Sequence, residues 1–189
     1  MYRYCVGIVV TFALFACMSG VRAVAAPGMT WTDEKAWLTN TPQVEADTIT
    51  HAYDSSLGVN KASADVKMPY KLWTVSITLT KGDVVTDETF TPRKAGAGYK
   101  MQAGNGPTAN LLKTLYGSNS DVAKEYANAS TVATVPINGQ QASEQFFQAK
   151  GGKYGFMLSP SKLVVFSSSE MQQRIKQAKY CSTHSECGE

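Results

Sequence analysis

The chain has 189 residues, with 18 Lys and Arg against 15 Asp and Glu and a formal net charge of +3. That length normally makes one domain and buries roughly two-thirds of its unfolded surface. So small a positive excess gives no electrostatic case for binding nucleic acid.

The N-terminus reads MYRYCVGIVVTFALFACMSGVRAVAAPG. Arg3 gives a short positive start, and Cys5 to Met18 is an uncharged apolar run. That run is shorter than the ~20 residues a membrane-spanning helix needs, and it fits the core of a secretory signal. Val21 with Ala23, or Ala23 with Ala25, can fill the small positions before a cleavage site. Cleavage after Ala25 leaves Pro27 past the cut. The expectation is a signal peptide at 1–25 and a single mature domain at 26–189, periplasmic or extracellular, with no transmembrane segment. Loss of Arg3 and Arg22 brings that domain close to neutrality. The alternatives are an uncleaved anchor and a lipoprotein attached at Cys17. The Leu14-Phe15-Ala16-Cys17 outline of the latter carries bulky Phe15 where a small residue is usual.

Along the mature chain, Thr32 is placed to cap a short helix reaching Leu38. Residues 42–69 have no clear period, and 55–64 reads as loop. KLWTVSITLT then alternates: Trp73, Val75, Ile77 and Leu79 point one way, and Thr74, Ser76, Thr78 and Thr80 the other. Period two with β-branched residues means a half-buried strand, 72–80. Lys81-Gly82-Asp83 turns the chain into a second strand at 84–91, which Pro92 ends. A short strand is expected at 99–102. Thr108 is placed to cap a helix carrying Leu111, Leu112 and Leu115, which Gly117 stops. Asp121 starts another turn of helix, and a strand follows at 131–137. Ser143 suggests a short helix bearing Phe146 and Phe147. Strands at 153–158 and 162–167 precede a helix at 169–179, capped by Ser168 or Ser169, with an apolar stripe of Met171, Ile175 and Ala178. No internal repeat is visible. The expected architecture is α+β: an antiparallel sheet of about five strands, three to five short helices, and the C-terminal helix packed on the sheet.

Export would leave Cys181 and Cys187 as the mature chain's cysteines. An even pair in an oxidising compartment reads first as a disulfide. Its small ring contributes only about 2 kcal/mol, so it shapes the tail itself. A metal site built on Cys181, His184 and Cys187 lacks a fourth ligand and a familiar zinc spacing. A redox dithiol is usually closer, as Cys-x-x-Cys.

Other chemistry is sparse. His51 has Asp47 and Asp54 nearby in sequence, but no serine stands in a Gly-x-Ser-x-Gly elbow. Ser159-Pro160-Ser161-Lys162 spells Ser-x-x-Lys between two strands, with proline inside, where the catalytic motif would open a helix. Gly104 and Gly106 lack the rest of any phosphate loop. Asn128-Ala129-Ser130 is a glycosylation sequon only in a eukaryotic host. Acids gather early (Asp33, Glu34, Glu45, Asp47, Asp54) and bases late (Lys150, Lys153, Lys162, Arg174, Lys176, Lys179), a pattern that suits a solvated surface or an anionic partner.

The functional expectation is a binding or interaction protein whose partner is another protein or an envelope component. No cofactor, metal or catalytic residue is assigned, and an enzyme is the less favoured class. The contact surface expected is Thr74, Ser76, Thr78 and Thr80 with Lys176 and Lys179. The alternatives are a small secreted hydrolase using His51 with a neighbouring acid, and a metal carrier using the tail.

Overall fold

The computed structural model describes residues 26–68, 71–93, 106–138 and 140–184. They form α1 (Trp31–Asn40), β1 (Val44–Asp54), β2 (Val59–Met68), β3 (Lys71–Leu79), β4 (Val85–Pro92), α2 (Pro107–Tyr116), α3 (Asp121–Asn128), β5 (Ser130–Pro136), β6 (Ser143–Gln148), β7 (Tyr154–Leu158), β8 (Leu163–Ser167) and α4 (Met171–Thr183), the last preceded by a 3-10 turn. The leader, the strand expected at 99–102 and Cys187 lie outside the described residues.

All eight strands share one antiparallel sheet, in the order β1-β2-β3-β4-β8-β7-β6-β5. It consists of two four-stranded meanders whose last strands meet, with Asp87 opposite Phe166 and Phe90 opposite Leu163. This corrects the expected sheet of about five strands: β1, β2 and β6 are additional. The physical reasons differ. β1 is interrupted by a bulge between Glu45 and Thr50, which breaks its period. β2 buries Ala62, Ala64 and Val66, two of them too small to give a strong apolar signal. β6 buries Phe146 on one face and Phe147 on the other, so the expected helix at Ser143 is a strand without alternation.

Helix starts also shift. Thr30, not Thr32, caps α1: its hydroxyl accepts from the Asp33 N–H at 3.3 Å and donates to Asp33 Oδ2 at 2.7 Å. Gly106 occupies the N-cap of α2, and Thr108 lies fully buried in its first turn. Ser120 caps α3. α4 has no side-chain cap, so neither Ser168 nor Ser169 fills that role.

The inner face of the sheet carries the main core. Val66, Trp73, Val75, Ile77, Phe90, Phe156 and Leu163 pack with Leu38 of α1, Leu111, Leu112 and Leu115 of α2, and Val122 and Tyr126 of α3. On the outer face a second core joins Val135, Phe146, Met157, Val164 and Phe166 to Met171 and Ile175 of α4. Gly155 allows that contact: a Cβ there would stand 2.4 Å from the Phe166 ring and 2.9 Å from Met171 Cε. α4 therefore covers the β5–β8 half of the outer face. The same face of β1–β4 presents exposed Thr50, Ser76 and Thr91. No helix among the described residues is long and apolar enough to cross a membrane.

Candidate functional site

The uncovered outer face of β1–β4 is built from strand register. Thr50 stands opposite Ser63, Ser63 opposite Ser76, and Ser76 opposite Thr89, so four hydroxyl side chains cross four adjacent strands in one row. Strand spacing of about 4.8 Å sets their separation. Thr50 Oγ1 and Ser63 Oγ are 2.8 Å apart. The flanking rows are charged. Asp65, Thr74 and Thr91 form one, with Thr74 donating to Asp65 Oδ1 at 3.1 Å and Arg93 paired with Asp65. Lys61, Thr78 and Asp87 form the other, with Thr78 donating to Asp87 Oδ1 at 3.2 Å. Lys61 reaches Asp54 at 2.9 Å and Arg174 of α4 reaches Asp87 at 3.0 Å.

The structure thus brings Thr74, Ser76 and Thr78 together on this face. Thr80 belongs instead to the β3–β4 turn, where its hydroxyl accepts from the Gly82 and Val84 N–H groups, each at 3.2 Å. Lys176 and Lys179 are exposed on α4. Each helical residue turns the direction by about 100°. Arg174 points across the seam to Asp87, so Lys176 projects from the other flank, away from the hydroxyl row. Sequence reasoning missed Thr50, Ser63, Thr89 and Thr91. The TxT pattern of Thr89 and Thr91 in β4 was the available signal; Thr50 and Ser63 sit on strands whose pattern is broken or weak.

A second cluster gathers at the β1 edge. His51 Nε2 lies 3.5 Å from Asp83 Oδ1, and its ring stacks on Trp31 at 4.7 Å and 16°. The acid beside His51 is therefore Asp83 from the β3–β4 turn, not Asp47 or Asp54. Asn60 donates to the same Asp83 oxygen at 2.6 Å. Asp83 has a φ of 56°, a left-handed conformation uncommon outside glycine, held by its N–H to Thr80 O and its carbonyl to the Trp31 N–H. Asp54, by contrast, builds the β1–β2 turn by accepting from Ser56 N–H and Oγ and from Leu57 N–H. No hydroxyl or thiol among the described residues is hydrogen-bonded to His51.

A cleft of about 440 Å³ lies elsewhere, between α1 and α2. Trp37 and Tyr116, stacked at 5.2 Å, form its wall, with Asp33, Asn40, Gln43 and Thr114 around it. His51 does not line it.

Two carboxyls sit in the inner core. Glu34 in the first turns of α1 and Glu88 at the middle of β4 are both fully buried, and none of their four carboxyl oxygens has a hydrogen-bond partner. Burial raises Glu34. Burial first, then the charges of Glu34 and Asp87, push Glu88 well above the ordinary carboxylate range. Tyr126 is pushed up to about 12 by burial, against an opposing influence of the Thr108 side chain.

In the tail, Cys181 occupies the last turn of α4, with Gln177 Nε2 3.6 Å from its sulfur. His184 stacks on Tyr180 at 3.9 Å, and its Nδ1 is 2.9 Å from the Tyr180 carbonyl. Among the described residues no group of three His, Cys, Asp or Glu is placed to hold a metal. Compared with known proteins, the chain matches no protein-family model, no curated protein and no solved structure.

Proposed function

We propose that this is an exported interaction protein, released by cleavage after Ala25, that recognises a protein or envelope component through the hydroxyl row Thr50, Ser63, Ser76 and Thr89. The observation that carries the reading is the contrast between the two halves of the outer face. One half is apolar and covered by α4. The other has a flat row of hydroxyls between two rows that contain the paired charges of Asp65 and Asp87. Such a face is too polar to need a covering helix and can offer a partner directional hydrogen bonds at regular spacing. The surviving thiols, Cys181 and Cys187, then close the tail as a disulfide.

A photo-cross-linking residue at position 76, compared with one at position 179, tests the surface in envelope extract. The expected result is a discrete, stoichiometric adduct from 76 alone. An adduct only from 179 would move the surface to α4, and none from either would remove the reading. N-terminal sequencing of the exported protein, with thiol counting before and after reduction, tests the cleavage site and the bridge.

The His51–Asp83 pair favours a second reading, a small secreted hydrolase. Loss of ester or peptide hydrolysis in both His51→Ala and Asp83→Asn, with the position-76 adduct absent, would support it over the first.

A further inference from the structure

Two helices end at the α1–α2 cleft. Asp33, Ala36, Trp37 and Asn40 line it from one face of α1, at the i, i+3, i+4 and i+7 spacing. From the other side come the last residues of α2, Thr114 to Tyr116, and its C-cap Gly117. The last carbonyls of a helix carry partial negative charge, which a nearby cation offsets. α1 has no basic residue in its last turn, and α2 has only Lys113, which does not line the cleft. At α1 the Thr41 N–H returns to the Leu38 carbonyl, whereas no cap N–H returns to the last turn of α2 among the described residues.

The side chains carry the same sign. Asn40 Nδ2 donates to the Ala36 carbonyl at 2.7 Å, which leaves Oδ1 as the amide group it can still offer. The Thr41 hydroxyl donates to the Trp37 carbonyl at 2.8 Å and keeps only its lone pairs. Asp33 accepts from Thr30 through Oδ2 at 2.7 Å, leaving Oδ1. Donors remain on the Trp37 indole, Thr114 and Gln43, but the only formal charge in the lining is the Asp33 carboxylate; it contains no Lys, Arg or His. The stacked rings of Trp37 and Tyr116 add the negative faces that attract cations. One carboxyl does not hold a metal, and no group of three His, Cys, Asp or Glu among the described residues does so. Ala36, Pro42 and Leu115 give the rest of the wall to apolar contact.

We propose that the α1–α2 cleft binds an organic ammonium ion. Asp33, Asn40 Oδ1 and the carbonyl ends of the two helices take the charged group, and the apolar wall takes its stem. A volume of about 440 Å³ suits a small amine or a single side chain. A free amine and the lysine side chain of a partner share this chemistry. The cleft lies among the helices that pack on the inner face of the sheet, on the other side from the hydroxyl row, so it does not rest on the recognition proposed for that row.

Hexylammonium, hexanol and hexanoate share a stem and differ in charge, and each can be titrated into the isotopically labelled protein by amide NMR. Hexylammonium should give saturable shifts centred on 33–43 and 114–117. Hexanol should bind about tenfold more weakly, and hexanoate should not saturate. Asp33→Asn should weaken hexylammonium about fivefold, and Gln43→Glu, which adds a carboxylate of the same shape, should tighten it about threefold. Added salt should weaken binding in both the parent and Gln43→Glu. If hexanol binds as tightly as hexylammonium, if the shifts fall elsewhere, or if Gln43→Glu leaves the affinity unchanged, the site is overturned. The three-ligand comparison uses the unsubstituted protein, so a variant that fails to fold leaves the test intact. A terminally blocked lysine peptide that binds as tightly as hexylammonium assigns the site to a partner's side chain; its failure beside hexylammonium binding assigns it to free amines.

Discussion

The two halves of the sheet have the same strand order and opposite outer faces. In β5–β8 that face carries Phe146, Met157, Val164 and Phe166, and α4 closes over it. In β1–β4 the equivalent positions carry Thr50, Ser63, Ser76 and Thr89. One meander became the inside of a three-layer sandwich, while the other keeps two layers and a wet surface. The same topology accepts either solution, because the backbone hydrogen bonds are complete in both and only the side chains decide what lies on top. The inner face is the opposite case: it is continuous across both halves, and its polar breach, Glu88, sits on the strand that joins them.

The largest effect should come from that breach. Burial raises Glu34 from 4.5 to about 8. Between those values the native state holds a proton that the unfolded state has lost, so stability falls as pH rises through the window. Every tenfold gain in proton affinity on folding corresponds to about 1.4 kcal/mol, so the total loss is on the order of 4 kcal/mol. It should appear as a lower urea midpoint at pH 8.5 than at pH 5. Glu88→Gln should flatten the slope, because Glu88 is itself raised by burial; a slope unchanged in that variant would leave Glu88 without a role in it. Next comes the closed half. Gly155→Val places side-chain atoms where Phe166 and Met171 already stand. Overpacking of this kind costs about 3 kcal/mol, and α4 should lose exchange protection while β1–β3 keep theirs. Equal loss in both halves would mean that the two outer faces are not independent.

The same contrast explains what could be read from the sequence. β3 was legible because its inner face is apolar and its outer face open, so Trp73, Val75, Ile77 and Leu79 alternate with hydroxyls. β6 was not, because α4 covers its outer face as well and Phe146 and Phe147 are adjacent. The stripe Met171, Ile175 and Ala178 could be read as a helix face, but not which half of the sheet it covers. The surface was half legible for a related reason. Thr74, Ser76 and Thr78 share one strand, whereas Thr50 and Ser63 join them only through register, which no local pattern encodes. Asp83 was missed as the partner of His51 because a turn brings it across two strands. Glu34 and Glu88 are both buried in the inner core, yet each read alone in the sequence is an ordinary surface acid.

The smaller effects lie at the border between the halves. Arg174 of α4 stacks over the Phe166 ring at 4.6 Å and pairs with Asp87 and Glu170. It links the covered half to the edge of the open one. Arg174→Ala should cost about 1 kcal/mol, the usual scale for a partly exposed charged hydrogen bond and its packing. Arg174→Met, which keeps the stem over Phe166, should recover part of it. On the open face itself the expected effect on stability is the smallest. Ser76 is exposed, so Ser76→Val should change stability by less than about 0.5 kcal/mol. It removes a hydroxyl from the middle of the row while improving the strand's own preference for a β-branched residue. Loss of the partner adduct in a protein of unchanged stability would separate recognition from folding at this face. If Ser76→Val instead unfolds the protein, the row is structural, and the two halves differ less than their side chains suggest.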